Sequence, residues 1–196
     1  RFSAATERDR IAHWFAWFAL IDDIRRTAKD PGASRLKLDW WLKEVELAHQ
    51  NCARHPLAQA LQDYVEHAWQ VTQMQRLLQA TERQIGGYRS SSEADYWQNS
   101  GEHYGSRARL LSNDPRIEIA EQTEQLGCYI AVVLDLQRLG EDARAGQLRI
   151  PKSLLQSHQL SDSDLRNNTP LPQLPELAGA LVAPVTPPSL GKLRGV

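Results

Sequence analysis

Residues 126–143 read LGCYIAVVLDLQRLGEDA, a stretch in which a long apolar run is followed by two adjacent acids. The pattern predicts a helix from about Arg116 to Leu139, with Glu141 and Asp142 at its end. The run is more apolar than one packing stripe requires. We therefore expect this helix to lie at the centre of the fold.

A second segment near the start of the chain has the same form. Residues 14–23 read WFAWFALIDD, an aromatic helical pattern that ends in Asp22 and Asp23. One interpretation is that both acidic pairs are solvated helix ends. The other is that they face each other across a cavity, as paired acidic motifs do when they hold Mg²⁺ on a diphosphate. Periodicity alone leaves both interpretations open.

The rest of the chain also places its apolar residues at helical spacing. No stretch alternates apolar and polar residues for long enough to predict a strand, and 196 residues suit one domain. We therefore predict an all-α protein whose single helical domain spans residues 1–165. Six of the ten prolines lie beyond it, so residues 166–196 cannot form one regular helix. This segment is expected to be a strap over the body or a connection to further helices.

The composition excludes several classes of partner. A formal net charge of −1 provides no global field that would attract nucleic acid. No apolar run reaches the ~20 residues of a membrane-spanning helix. Phosphate-binding glycine loops, GxSxG elbows and His-Glu-x-x-His motifs do not occur. We expect a cytoplasmic protein, with peripheral contact to a membrane as the alternative.

The acidic segments carry a resemblance to a known family. Residues 126–143 and 146–151 resemble the second aspartate-rich segment of squalene/phytoene synthases. Further resemblances follow the chain order of the family, at residues 15–24, 39–44, 55–57 and 96–105. The resemblance implies an isoprenoid-synthase-like helical bundle around a central apolar cavity. It also implies a prenyltransferase that condenses prenyl diphosphates in squalene, hopanoid or carotenoid synthesis, with Mg²⁺ held by the aspartates.

The first metal-binding motif departs from the family pattern. In the family, two acids four residues apart lie on one helical face and share Mg²⁺. Here Asp22 is retained, but the position four residues later is Arg26. The first motif has therefore exchanged one of its two metal ligands for a cation.

The second motif departs further. Ala131 stands at the family's glutamine, Leu134 at its asparagine and Arg138 at its leading aspartate. Only Glu141 and Asp142 are retained. Leu134 removes a side-chain oxygen from what would be the coordination surface, so this motif is also poorly suited to hold a metal.

These departures predict a catalytically degenerate protein. Arg26 and Arg138 offset the charges of Asp22 and Asp142, so the site has lost its main attraction for Mg²⁺ and we expect no cofactor. The remaining role would be binding of a prenyl lipid or prenyl diphosphate, or an interaction with a protein partner. One branch of the family serves the assembly of mitochondrial respiratory complex I.

Two other functions stay open. One is an active prenyltransferase with an altered diphosphate site, in which Asp22 and Asp142 bind Mg²⁺, or in which Arg26 and Arg138 clamp the diphosphate themselves. The other is a helical interaction domain that binds no ligand. Metal-dependent turnover would distinguish the active prenyltransferase from the degenerate protein. A co-purifying lipid would distinguish the degenerate, lipid-binding protein from the interaction domain that binds no ligand.

The resemblance also predicts a cavity. We expect an apolar pocket between the two central helices, lined by Phe18, Tyr104, Ala131 and Leu134. The alternative is that large side chains such as Trp17 have filled this space. The two outcomes differ in whether a lipid chain could enter the protein.

The replaced motif positions lead to a further expectation. A guanidinium left unpaired in the former metal site would be costly, so Arg138 should have found a carboxylate. Within its own helix it precedes Asp142 in the less favourable orientation. We therefore expect Arg138 to reach across to the first helix and to pair with Asp22 or Asp23.

Overall fold

The computed structural model describes residues 5–26, 30–85, 87–167 and 170–185. Within these ranges the chain forms helices and no strands, which confirms the all-α prediction. The elements, in chain order, are α1 (Ala5–Arg26), α2 (Pro31–His49), α3 (Pro56–Gln62), α4 (Ala68–Arg83), α5 (Glu93–Ser100), a π-helical turn (Gly101–Gly105), α6 (Ser106–Ser112), α7 (Ile117–Gln137), α8 (Leu139–Ala145), α9 (Lys152–Ser157), α10 (Asp162–Arg166) and α11 (Leu174–Val182).

Local capping explains where several helices begin. Asp30 precedes α2 and its carboxylate accepts a hydrogen bond from the Gly32 amide at 2.8 Å, while Pro31 occupies the first helical position. Ser92 precedes α5 and its hydroxyl accepts from the Asp95 amide at 3.1 Å. These side chains satisfy backbone N–H groups that have no partner within the helix.

The long apolar helix is shorter than the sequence predicted. Helix α7 ends at Gln137, and Arg138 leaves the helical conformation with φ −103° and ψ 6°. The chain then re-enters a helix as α8, so Glu141 and Asp142 lie in the first turn of α8 instead of ending α7. The break at Arg138 separates the acids of the second motif from the apolar helix that precedes them.

Two hydrophobic clusters hold the helices together. The first is rich in aromatic residues and joins α1 to α4, with Trp14, Trp17 and Leu77 fully buried. The second joins α7 to the later helices and includes Val132, with Leu177 and Leu181 of α11. The π-helical turn and α6 lie between these clusters, and they carry side chains that connect the two halves of the fold.

The tightest helix contact is made by two glycines. Helix α7 crosses the π-helical turn at Gly127 and Gly105, where a Cβ atom built on Gly127 would lie 2.1 Å from the Gly105 nitrogen. No side chain fits at that distance, so glycine at position 127 sets how closely α7 approaches the turn. This approach fixes the position of the turn's side chains relative to α7.

In the part of the chain that the structure describes, no helix is both long and apolar enough to cross a bilayer.

We predict that Gly127→Ala destabilises the protein by at least about 3 kcal/mol, because the added methyl group meets backbone that cannot move aside cheaply. Gly179→Ala in α11 is the matched control, since its Cβ would meet no atom within 4 Å. That control should stabilise by roughly 0.5–1 kcal/mol through helix propensity. Urea unfolding of both variants measures the difference; equal effects would contradict the close contact.

Candidate functional site

The retained aspartate of the first motif is already bound to a cation. Arg107 of α6 donates to both oxygens of Asp22, at 2.7 and 2.8 Å, in a bidentate ion pair. The guanidinium of Arg107 also lies over the ring of Phe18, 5.3 Å from its centroid. Arg107 therefore occupies the carboxylate positions that a metal ion would need.

The π-helical turn places a histidine and a tyrosine beside this pair. His103 is buried, and its Nε2 atom lies 3.2 Å from Arg107 Nη2, which donates to it. The ring nitrogen that accepts carries no proton, so His103 is neutral with its hydrogen on Nδ1. Tyr104 lies between two cations, with Arg107 and Arg149 5.4 and 5.5 Å from its ring centroid.

Burial and charge together keep His103 neutral. Burial is the largest cause that lowers the pKa of His103 well below its ordinary value, and the nearby charges of Arg107, Arg149 and Arg25 lower it further. The Nδ1 atom has no hydrogen-bond partner among the described residues. His103 is thus a buried, neutral polar group next to the Asp22 pair, and it takes up no second proton near neutral pH.

A second buried ion pair lies next to the second motif. Arg149 donates through Nε and Nη2 to Asp135 Oδ1, at 2.9 and 2.5 Å, and the Tyr96 hydroxyl donates to Asp135 Oδ2 at 2.8 Å. Although burial by itself lowers the pKa of Arg149, the Asp135 carboxylate raises it above its ordinary value. The pair links the loop after α8 to α7 and stays charged in the interior.

Sequence reasoning singled out neither Arg107 nor Asp135. Asp135 had a readable signal, because it is the one carboxylate within the apolar run at residues 126–136 of α7. Such a group is buried only with a cation as its partner. The identity of that partner depends on tertiary packing.

The predicted contact between Arg138 and the first helix is wrong. Arg138 is about half exposed and lies 3.7 Å from Asp142 and 3.9 Å from Glu141, both in the next helix turn. The physical reason is twofold: Asp22 is bound by Arg107, and the break at Arg138 turns its side chain toward the start of α8.

The other motif positions also differ from the expected cluster. Arg26 and Asp23 are exposed, and within the described residues Arg26 forms no ion pair. Asp142 is half-buried, and burial is the main cause that raises its pKa, opposed by Arg138. The two motifs nevertheless converge, because Arg25 interacts electrostatically with both Asp22 and Asp142.

The space beside Leu134 is small and polar, unlike the apolar pocket expected. It has a volume of about 70 Å³. Its lining residues are Arg25, Tyr104, Leu134, Asp135, Arg138, Asp142, Gln147 and Arg149. Of the other residues expected to line a cavity, Phe18 is buried in the aromatic cluster and Ala131 is fully buried in α7. Arginine side chains fill the position where an apolar wall was expected.

The donor set does not fit Mg²⁺. Within the described ranges no three His, Cys, Asp or Glu side chains gather as metal ligands. Each of the three motif-region aspartates has a guanidinium within ion-pair distance: Asp22 has Arg107, Asp135 has Arg149 and Asp142 has Arg138. A divalent cation would have to compete with these guanidiniums for the carboxylates.

Comparison with known proteins assigns the fold and this set of helices to one family. The model of the squalene/phytoene synthase family matches residues 1–185. The chain therefore belongs to the squalene/phytoene synthase family. No curated protein sequence matches the chain.

A solved structure supports the same fold. The chain is similar to the crystal structure of a dehydrosqualene synthase in complex with ligand, with a TM-score of 0.79 and 15% sequence identity. The match covers 90% of this chain and 62% of that one. The chain thus spans less than two thirds of the length of the solved enzyme, and at this identity the match shows the fold alone.

Arg149 and Arg138 should differ sharply in their contribution to the stability of the folded protein. Arg149→Ala is expected to destabilise by about 3–5 kcal/mol, because it leaves the buried Asp135 carboxylate without its cation. Arg138→Ala, the matched control, should cost under about 1 kcal/mol, since its ion pairs are exposed to solvent. Chemical denaturation measures both; a large effect at Arg138 would contradict the arrangement described.

The buried His103 predicts a dependence of stability on pH. The folded protein does not take up the proton that the unfolded chain binds below pH ~6.5, so acid favours the unfolded state. The free energy of unfolding should fall by up to about 1.4 kcal/mol per pH unit below that point. In His103→Asn, the part of this pH dependence of the unfolding free energy that His103 contributes should be absent. An unchanged slope, measured by denaturation between pH 5 and 7.5, would show that His103 titrates normally.

Proposed function

We propose that this chain is a member of the squalene/phytoene synthase family that does not carry out magnesium-dependent condensation of prenyl diphosphates. The bidentate pair between Arg107 and Asp22 carries the proposal. Asp22 is the retained acid of the first motif, and its two oxygens are occupied by a guanidinium. A metal would have to displace that guanidinium from a half-buried site.

The chemistry of the family reaction supports the same proposal. Carbocation formation from a prenyl diphosphate needs positive charge on the departing diphosphate, which the family supplies as Mg²⁺ bound between two acidic motifs. Here the internal arginines bind the carboxylates that would hold the metal. They neutralise those carboxylates and remove the reason for a divalent ion to enter.

The role that remains is binding of a prenyl lipid or of a protein partner. One observation supports such a role: Leu36 and Trp40 of α2 are 71% and 44% exposed, and with Leu20 and Ile24 of α1 they line one apolar surface hollow. Native mass spectrometry of the purified protein distinguishes the two roles. A co-purifying prenyl lipid favours the first, and a co-purifying polypeptide favours the second.

An active prenyltransferase with an altered diphosphate site is the second candidate function. The excess of arginines over aspartates around the π-helical turn favours it, because guanidiniums bind phosphate oxygens directly. This candidate requires product formation from prenyl diphosphates in the absence of metal. Product analysis with a chelator present tests it separately from metal-dependent turnover.

We predict no magnesium-dependent binding of farnesyl or geranylgeranyl diphosphate at micromolar concentration. Isothermal titration calorimetry in millimolar Mg²⁺ and in EDTA should give the same result, because the residues that the structure describes offer no acidic cluster to the ion. A squalene/phytoene synthase with intact aspartate-rich motifs serves as the positive control. Tight binding that appears only with Mg²⁺ would establish the active enzyme instead.

A further inference from the structure

The apolar hollow between α1 and α2 lies on the surface of the protein. Its volume is about 400 Å³. Helix α1 contributes Leu20, Asp23 and Ile24 to its lining, and α2 contributes Leu36, Lys37 and Trp40. It shares no lining residue with the polar space beside Leu134. The hollow is therefore a separate feature of the molecule, and its exposed apolar side chains call for a partner that covers them.

The two walls of the hollow differ in how far they project. On α2, Leu36 and Trp40 lie four residues apart on one helical face, and most of Leu36 and nearly half of Trp40 are exposed. On α1, Ile24 is buried and Leu20 is half-buried. The surface thus consists of an exposed apolar ridge on α2 beside an apolar recess on α1.

The ring of Trp40 is held in place by its neighbours. It lies edge-to-face against Trp41, with 5.2 Å between the ring centroids, and its centroid is 5.9 Å from that of His55. A side chain that is already fixed in this way loses little conformational freedom when a partner covers it. Aromatic side chains of this kind are the frequent anchors of protein interfaces.

The hollow carries one charge of each sign, on opposite walls. Asp23 is on the α1 wall and Lys37 is on the α2 wall, and both side chains are exposed. A carboxylate has several acceptor sites, so Asp23 can accept from a partner in addition to the interaction that it has within its own chain. An identical surface, turned so that its α2 wall meets this α1 wall, would match both the shape and the charges.

We propose that two copies of this chain associate through this hollow, about a twofold axis that runs along it. Rotation about such an axis places α2 of each copy over α1 of the other. The exposed ridge of each copy then fills the recess of its partner, and Asp23 of each copy meets Lys37 of the other. Two reciprocal ion pairs border an apolar centre, which is the usual arrangement of a protein interface.

A membrane surface is the other apolar partner that the hollow could meet. Contact with a flat bilayer would leave the recess on α1 unfilled, and it would place the Asp23 carboxylate against lipid, which is costly without a cation. A second copy supplies both the side chains that fill the recess and a cation for the carboxylate. The shape and charges of the hollow therefore favour a second copy.

The inference rests on the proposed function in one respect, namely that it names a copy of this chain as the protein partner. Sedimentation velocity on the full chain, at concentrations up to hundreds of micromolar, measures the association, and the wild type should form a dimer. Leu36→Ser removes an apolar contact from both copies, so it should raise the dimer dissociation constant at least about tenfold. Ile117→Ser, at a similarly exposed side chain of α7 outside the hollow, is the matched control and should dimerise as the wild type does.

Charge reversal tests the twofold arrangement itself. Asp23→Lys alone and Lys37→Asp alone each place like charges opposite each other twice, so each variant should weaken self-association about tenfold or more. An equimolar mixture of the two variants brings opposite charges together again and should restore a dimer of nearly wild-type affinity. Both positions are exposed, so both variants should fold, which circular dichroism and urea unfolding check.

Each outcome bears on the inference. A monomer at all concentrations overturns it, as does a dimer that Leu36→Ser leaves unchanged, that Ile117→Ser weakens equally, or that the mixed charge variants fail to restore. A monomer that binds vesicles of phosphatidylcholine and phosphatidylglycerol, and loses this binding in Leu36→Ser, also overturns it and assigns the hollow to a lipid surface. Metal-dependent turnover would overturn the proposed function while leaving the dimer in place.

Discussion

The pair between Arg107 and Asp22 connects the first hydrophobic cluster to the region where the two family motifs converge. It joins α1 to α6 and positions the guanidinium that binds His103 and faces Tyr104. A metal ion would serve as a removable bridge between acidic helices. Arg107 bridges α1 and α6 with a cation that belongs to the chain, so this one contact needs no ion from solution.

The close approach of α7 to the π-helical turn has a related effect. Gly105 and Gly127 let the backbones meet, and the turn then directs His103 and Tyr104 toward the arginines. A π-helical turn is uncommon and often lies at a functional position, because its extra residue changes the direction of the following side chains. Here it brings aromatic and imidazole groups against charges that would otherwise be poorly solvated in the interior.

Much of the fold could be predicted from the sequence, and less of the site. Helical periodicity and the absence of strand alternation were sufficient for the all-α class, and the motif resemblance led to the correct family. The partner of Arg138 was missed although local spacing offered it, because Glu141 and Asp142 follow at three and four residues. Asp142 was set aside on an orientation preference that is worth only a few tenths of a kcal/mol (about 0.2–0.5 for such pairs), which is too little to decide a partner.

The partner of Asp22 was out of reach for a different reason. Arg107 is 85 residues away in the chain, and nothing in its local sequence distinguishes it from other arginines. Asp135 and Arg149 present the same difficulty, although the one acid within the apolar run at residues 126–136 indicated that some cation must be near. Pattern reasoning identifies which charges need a partner, whereas packing decides which residue supplies it.

The buried pair of Asp135 and Arg149 also constrains how this chain can change over evolutionary time. Loss of either member leaves the other as an unpaired charge in the interior. A variant with only one of the two substitutions is therefore poorly stable. Replacement of the pair without loss of stability would need coordinated substitutions at two positions that belong to different segments. The ion pair is thus a source of epistasis, and lineages that acquired it would tend to keep it even after the selective reason for it had gone.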